Sequence, residues 1–241
     1  MKVRARVLAG TTESASYIQD KHQIFGEPIL LHLLKEIKRA DFIDEIFVLT
    51  KDDAVAEIAR TCMCHVVPVV DQPIDFKGGF FDIHSNMYLA NDYIRTRYGN
   101  IPEIAVYLNS NYCLITAEIL EKMFVKLMED RIADSIVPVT RIAPHLFMEN
   151  SKTGSFFPFW QHSSLDRQDY PDVYRSGGIR MIHPRRVVSS HGQRVIFQVV
   201  EQEYLLNVDS LEKARLAEYY LMRRMDGRVV LPEHHDKSPN L

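Results

Sequence analysis

The chain has 241 residues, of which 46% are hydrophobic and 25% charged, and a formal net charge of −3. That suits one α/β domain or a domain with a small appendage, and it leaves no basic footprint for nucleic acid. No apolar run reaches the roughly 18 residues of a membrane span, and the apolar part of "MKVRARVLAG" is too short for a secretory signal.

In chain order, Val3, Ala5 and Val7 alternate and run into Leu8 and Ala9, which predicts a strand entering a sheet. "PILLHLLKEIKRA" (28–40) has apolar residues at helical spacing, with Pro28 in the first turn. "IDEIFVLT" (43–50) reads as a strand and "DDAVAEIAR" (52–60) as a helix with acids at its positive end. "HVVPVV" (65–70) is a short strand. A loop with Lys77, Gly78 and Gly79 follows, where a plain turn or a ligand contact would fit.

Residues 81–98 have helical periodicity, 103–109 read as a buried strand, and 116–130 as an amphipathic helix started by Thr116. The stretch 134–142 is again a strand. Strand–helix order repeated four times predicts a doubly wound, mostly parallel sheet, with ligands at the carboxyl ends of the strands.

The pattern breaks at 143–176, a stretch rich in Pro, Phe, Ser and His that reads as an inserted arm. Strands are expected at 177–184, 194–200 and 204–209, then a closing helix over 210–225 capped by Ser210. Residues 1–230 form a single domain in this reading, and 231–241 a frayed polar tail.

Cys62, Cys64 and Cys113 lack a scaffold spacing, which suits a reduced, cytoplasmic protein. Cys62 and Cys64 read as small core residues or as half of a metal site with no second pair nearby. His145, His162, His183 and His191 form no ligand motif.

Four segments carry a resemblance. "RQDYPDVYRSGGIRMI" (167–182), "YLNSNYCLITAEIL" (107–120), "YLLNVDSLEKARLAEYYL" (204–221) and "FIDEIFVLTKDDAVAEIAR" (42–60) stand in the order and spacing of matching segments in acylneuraminate cytidylyltransferases. The chain resembles that family from about residue 3 to 221, as a divergent member of the nucleotide-diphospho-sugar transferase superfamily.

The resemblance implies that superfamily's α/β fold, a homodimer in which the 143–176 arm reaches its partner, and transfer of CMP from CTP to a small acidic acceptor with Mg²⁺. It places Leu8, Ala9, Gly10, Thr11 and Thr12 in the triphosphate loop, where the family's arginine is missing and Glu13 opposes phosphate. Lys21 is the candidate phosphate cation and reads equally as a solvated surface lysine.

Asn207-Val208-Asp209 stands where the family has two metal-binding aspartates, so Asp209 is the metal candidate, and it also begins the closing helix. Arg167 and Gln168 match an acceptor-binding pair, and Asn109 takes the place of a sugar-binding glutamine. Departures at "SNYC", Ile115 and Gly177 point away from N-acetylneuraminate, toward another 2-keto sugar acid or a phosphonate. The rival expectation is a homologue that keeps the fold and does no chemistry.

Overall fold

The structure is a computed structural model that describes residues 1–10, 20–68, 93–99, 101–142, 147–149, 155–158, 172–186 and 193–225. β1 (Val3–Leu8) is buried nearly throughout. Val3, Ala5 and Val7 enter the main core, while Arg4 and Arg6 lie on the other face of the strand. A small hairpin, β2 (Gln23–Ile24) with β3 (Glu27–Pro28), turns at Phe25 and Gly26 and leads into α1 (Ile29–Arg39). Pro28 caps α1 from outside the helix rather than opening its first turn. Ile29, Leu30, Leu33, Leu34 and Ile37 are all buried, so the spacing read from sequence is the face that packs.

β4 (Glu45–Thr50), α2 (Asp53–Thr61) and β5 (His65–Pro68) follow. α3 is helical over 93–98. Then come β6 (Ile104–Asn109), α4 (Ala117–Glu129) and β7 (Ser135–Ile142). Within 143–176, β8 (Phe147–Glu149) and β9 (Phe156–Pro158) pair with each other in a separate two-stranded sheet. The chain closes with β10 (Val173–Ser176), β11 (Ile179–Ile182), β12 (Val195–Val199), a 3-10 turn at Gln202–Leu205 and α5 (Leu211–Met225).

Among the described residues the main sheet has eight strands. β1 pairs in parallel with β4 on one side and β6 on the other, and β4 carries β5. β7 pairs in parallel with β12, β11 runs antiparallel between β6 and β7, and β10 pairs antiparallel with β7 alone. The doubly wound α/β fold expected from the strand–helix order is the fold found. Alternation along β4 shows the two layers: Val48 belongs to the core under α1, α2 and α4, whereas Phe47 and Leu49 meet Ile94, Tyr93 and Tyr98 at α3.

Two segments differ from the sequence reading. The strand expected from residue 177 starts at Val173 and is interrupted at Gly177 and Gly178. The strand expected at 204–209 is a 3-10 turn followed by an irregular run. The apolar residues there suggested a strand, but the buried pair is Leu205 and Val208, three apart, and i to i+3 bonds from Tyr204 to Glu201 and Leu206 to Glu203 close the turn. Cys64 and Cys113 are core residues, and burial raises their thiol pKa values to about 11 and about 12. Among the described residues no helix is long and apolar enough to cross a membrane.

Candidate active site

β1 and β6 lie side by side, and the chain leaves them toward opposite edges of the sheet. This is the switch point at which doubly wound sheets open a crevice beyond the strand ends. Gly10 sits there with φ +61°, and a Cβ on it would lie 3.1 Å from Thr50 Oγ1 and 3.3 Å from the Asp52 Cβ. Both the backbone angle and the crowding favour glycine.

The Gly10 N–H donates to the carboxylate of Asp20. Asp20 is nearly buried, at 9% exposure. Desolvation raises its pKa, hydrogen bonds from the Ser110 hydroxyl and the Gly10 N–H work against that rise, and the charge on Asp52 adds to it. Asp20 was not picked out from the sequence, because an acid next to Lys21 looks like an exposed loop residue. Its partners at positions 10 and 110 are visible only in the fold. Ala9 is buried, and its N–H donates to the Leu49 carbonyl at 3.0 Å. Leu8 lies in the ladder between β4 and β6.

Lys21 stands at the same end, with Nζ 3.3 Å from Asp52 Oδ2. The other oxygen of Asp52 caps α2, accepting from Ala54 N at 2.8 Å and Val55 N at 3.2 Å. Burial pushes the Asp52 carboxyl up, but those N–H groups and the Lys21 ammonium outweigh it and hold the pKa below the usual range.

Asn109 ends β6 and donates its backbone N–H to the Gly178 carbonyl at 3.0 Å. The side chains of Asn109 and Tyr112 lie directly over Gly178. The next two residues bind the site together: Ser110 N–H donates to the Leu8 carbonyl at 3.1 Å, and the Asn111 carbonyl accepts from Val208 N at 2.9 Å. The fold thus brings Gly10, Lys21, Asn109 and the 207–209 run to one end of the sheet. Thr11, Thr12, Arg167 and Gln168 lie outside the described residues.

Asp209 Oδ1 pairs with Lys213 Nζ at 2.6 Å, and Oδ2 accepts from Asn207 Nδ2 at 3.2 Å. Ser210 Oγ accepts from Lys213 N at 3.3 Å, the cap expected for the closing helix. Among the described residues, no three His, Cys, Asp or Glu side chains converge on a possible metal site. A hard cation there would rest on the Asp209 carboxylate, the buried Asn207 Oδ1, which has no partner among the described residues, and oxygens from a ligand. That donor set fits Mg²⁺, with Lys213 as its competitor for Asp209.

Next to Asn109, a cleft of about 880 Å³ opens over β6, β7, β11 and β12. Paired residues form a row on this face of the sheet: Arg180, Tyr107, Arg6, Phe47 and His65, one from each of five strands. Arg180 and Tyr107 both line the cleft. The sequence reading passed over Arg180, since one basic residue inside an apolar strand carries no motif.

No protein-family model matches the chain, and no curated protein matches it by sequence. The fold does match solved structures. One is a CMP:2-keto-3-deoxy-manno-octonic acid synthetase complexed with CTP, at a TM-score of 0.63 and 11% identity, covering 93% of this chain and 100% of that one. Another is the 4-diphosphocytidyl-2C-methyl-D-erythritol synthase of Anaerococcus prevotii, at a TM-score of 0.64 and 12% identity, covering 92% of this chain and 99% of that one. The chain has the fold of these enzymes. The likeness is to the architecture they share and not to acylneuraminate enzymes in particular.

Proposed function

We propose that this protein is a cytoplasmic, homodimeric nucleotidyltransferase that moves CMP from CTP to a small acidic acceptor, a 2-keto sugar acid or a phosphonate. The observation that carries the reading is the crevice at the switch point, where Gly10, Lys21, Asn109 and Asp209 meet at one end of a fold shared with a structure complexed with CTP. An oxygen of the acceptor attacks the α-phosphorus, the bond to the β-phosphate bridge breaks, and pyrophosphate leaves with the bonding electrons. No protein nucleophile is needed.

The connection from Leu8 through Ala9, Gly10, Thr11 and Thr12 to Lys21 receives the triphosphate in this reading. Gly10 supplies an N–H that Asp20 holds when no phosphate accepts it. Lys21, released from Asp52, gives a point charge to the phosphates. Asp209 and Asn207 would hold Mg²⁺, which supplies neutralisation of the triphosphate charge. Asn109, Arg167 and Gln168 orient the acceptor.

The test is pyrophosphate release from each of the four nucleoside triphosphates with Mg²⁺ and a panel of sugar acids and phosphonates. Release from CTP alone is the expected result. No turnover together with no thermal shift on adding CTP would leave a homologue that keeps the fold without the chemistry. Light scattering checks the dimer, and a monomer at micromolar concentration removes that part of the proposal.

A further inference from the structure

The cleft beside Asn109 has an unusual floor. Arg180 is half-buried, and its Nε is buried without a hydrogen-bond partner among the described residues. Burial pulls its pKa down, and among the described residues the one charge effect on it comes from the Tyr107 phenol, with no carboxylate contributing. The guanidinium lies 5.6 Å from the centre of the Tyr107 ring. Arg6 lies 5.2 Å from the same centre and donates to the Tyr107 hydroxyl at 2.7 Å. Two cations therefore flank one phenol, and among the described residues no Asp or Glu lines the cleft.

The walls are of another kind. Val137, Val139, Phe197 and Val199 face the cleft, with Asn109, Ser176 and the Tyr174 phenol as its polar groups. Phe197 and Val199 are about half exposed, at 52% and 51%. A desolvated guanidinium without a counter-charge is costly, and a cleft of this volume is of the size that takes small molecules. A polyhydroxylated ligand would find few hydrogen-bond partners along these aliphatic and aromatic walls.

We infer that the cleft takes an anion with an apolar body: Arg180 pairs with its acidic group, and the wall of Val137, Val139, Phe197 and Val199 covers the rest. This rests on the proposed function insofar as the ligand is the acceptor. It narrows that acceptor toward a phosphonate or carboxylate on an aliphatic or aromatic group, and away from a hydroxyl-rich sugar acid. Arg180 is then a specificity-determining residue.

Calorimetric titration of the full-length chain with phenylphosphonate, methylphosphonate and gluconate tests this. Phenylphosphonate is expected to bind about tenfold tighter than either of the others, as the loss of a ring contact or of shape match implies. Arg180→Gln is expected to weaken phenylphosphonate about tenfold, the scale of one charge-assisted contact, with a Tm equal to or above that of the parent. Phe197→Ser is expected to weaken phenylphosphonate while leaving methylphosphonate unchanged.

Unchanged binding in Arg180→Gln, gluconate binding as tightly as phenylphosphonate, or no binding of phenylphosphonate at millimolar concentration would each overturn the inference. If Arg180→Gln does not fold, Arg180→Lys serves instead: it keeps the charge and loses the planar fork, so weaker phenylphosphonate binding supports the pairing and unchanged binding refutes it. The thermal response of the unmodified protein to CTP tests the parent reading separately. Phenylphosphonate bound through Arg180 without a response to CTP keeps the cleft and removes the nucleotide.

Discussion

Gly178→Ala should destabilise the protein through two side chains that cannot both retreat. The added Cβ would stand 2.5 Å from Asn109 Nδ2 and 2.6 Å from Tyr112 Cε2. The backbone is pinned, because Gly178 accepts from Asn109 N at 3.0 Å and the strand that follows is paired on both sides. The Asn109 amide can rotate away. The Tyr112 ring is rigid, and the same ring already lies 2.8 Å from the Cβ position of Gly177. Overpacking of this kind costs about 2 kcal/mol, which for a chain of this length lowers Tm by roughly 4–8 °C. Thermal denaturation followed by circular dichroism measures it. Repeating the substitution in a Tyr112→Ala background should recover at least about half of the loss, since the second clash is then gone. A Gly178→Ala protein melting within about 1 °C of its parent would refute the argument.

Three further outcomes follow from the site. Burial raises the pKa of Asp20, so the folded state holds that proton more tightly than the unfolded chain, and this group's contribution falls as pH rises from the ordinary aspartate range through the folded pKa. Asp20→Asn should therefore raise Tm by roughly 2–4 °C at neutral pH, about 1 kcal/mol, with the gain shrinking toward pH 4; an equal gain at every pH would contradict it. Asp52→Ala removes the α2 cap and the partner of Lys21, and should cost about 1–2 kcal/mol in urea denaturation. Asp209→Ala should abolish pyrophosphate release if the protein turns over CTP, and retained turnover would remove Asp209 from the metal role.

The layers of the fold were legible because they rest on periodicity. Val3, Ala5 and Val7, the α1 stripe from Ile29 to Ile37 and the Thr116 cap all stand where pattern and propensity placed them. Tyr204 to Asp209 was misread because apolar content without alternation does not distinguish a strand from a 3-10 turn. The site was legible in outline only. Gly10 carried a local signal, being the first glycine in the chain and just beyond a strand. Asp20 and Arg180 carried none, since what makes each notable is its surroundings: a hydrogen bond from Gly10 for one, the lack of a counter-ion among the described residues for the other.

The gap at Gly177 and Gly178 also governs how the length of this segment can vary. From Ser176 to Met181 the chain of β10 and β11 takes five residue steps, while its partner β7 takes three, from Val139 to Ile136. The surplus is two, the same as the side-chain period of a strand, so both halves keep their faces. Removing one glycine would invert everything beyond it, turning Arg180 toward the helices and Met181 toward the cleft. Removing both would preserve the faces and shorten the mouth alone. Insertions and deletions tolerated here should come in pairs.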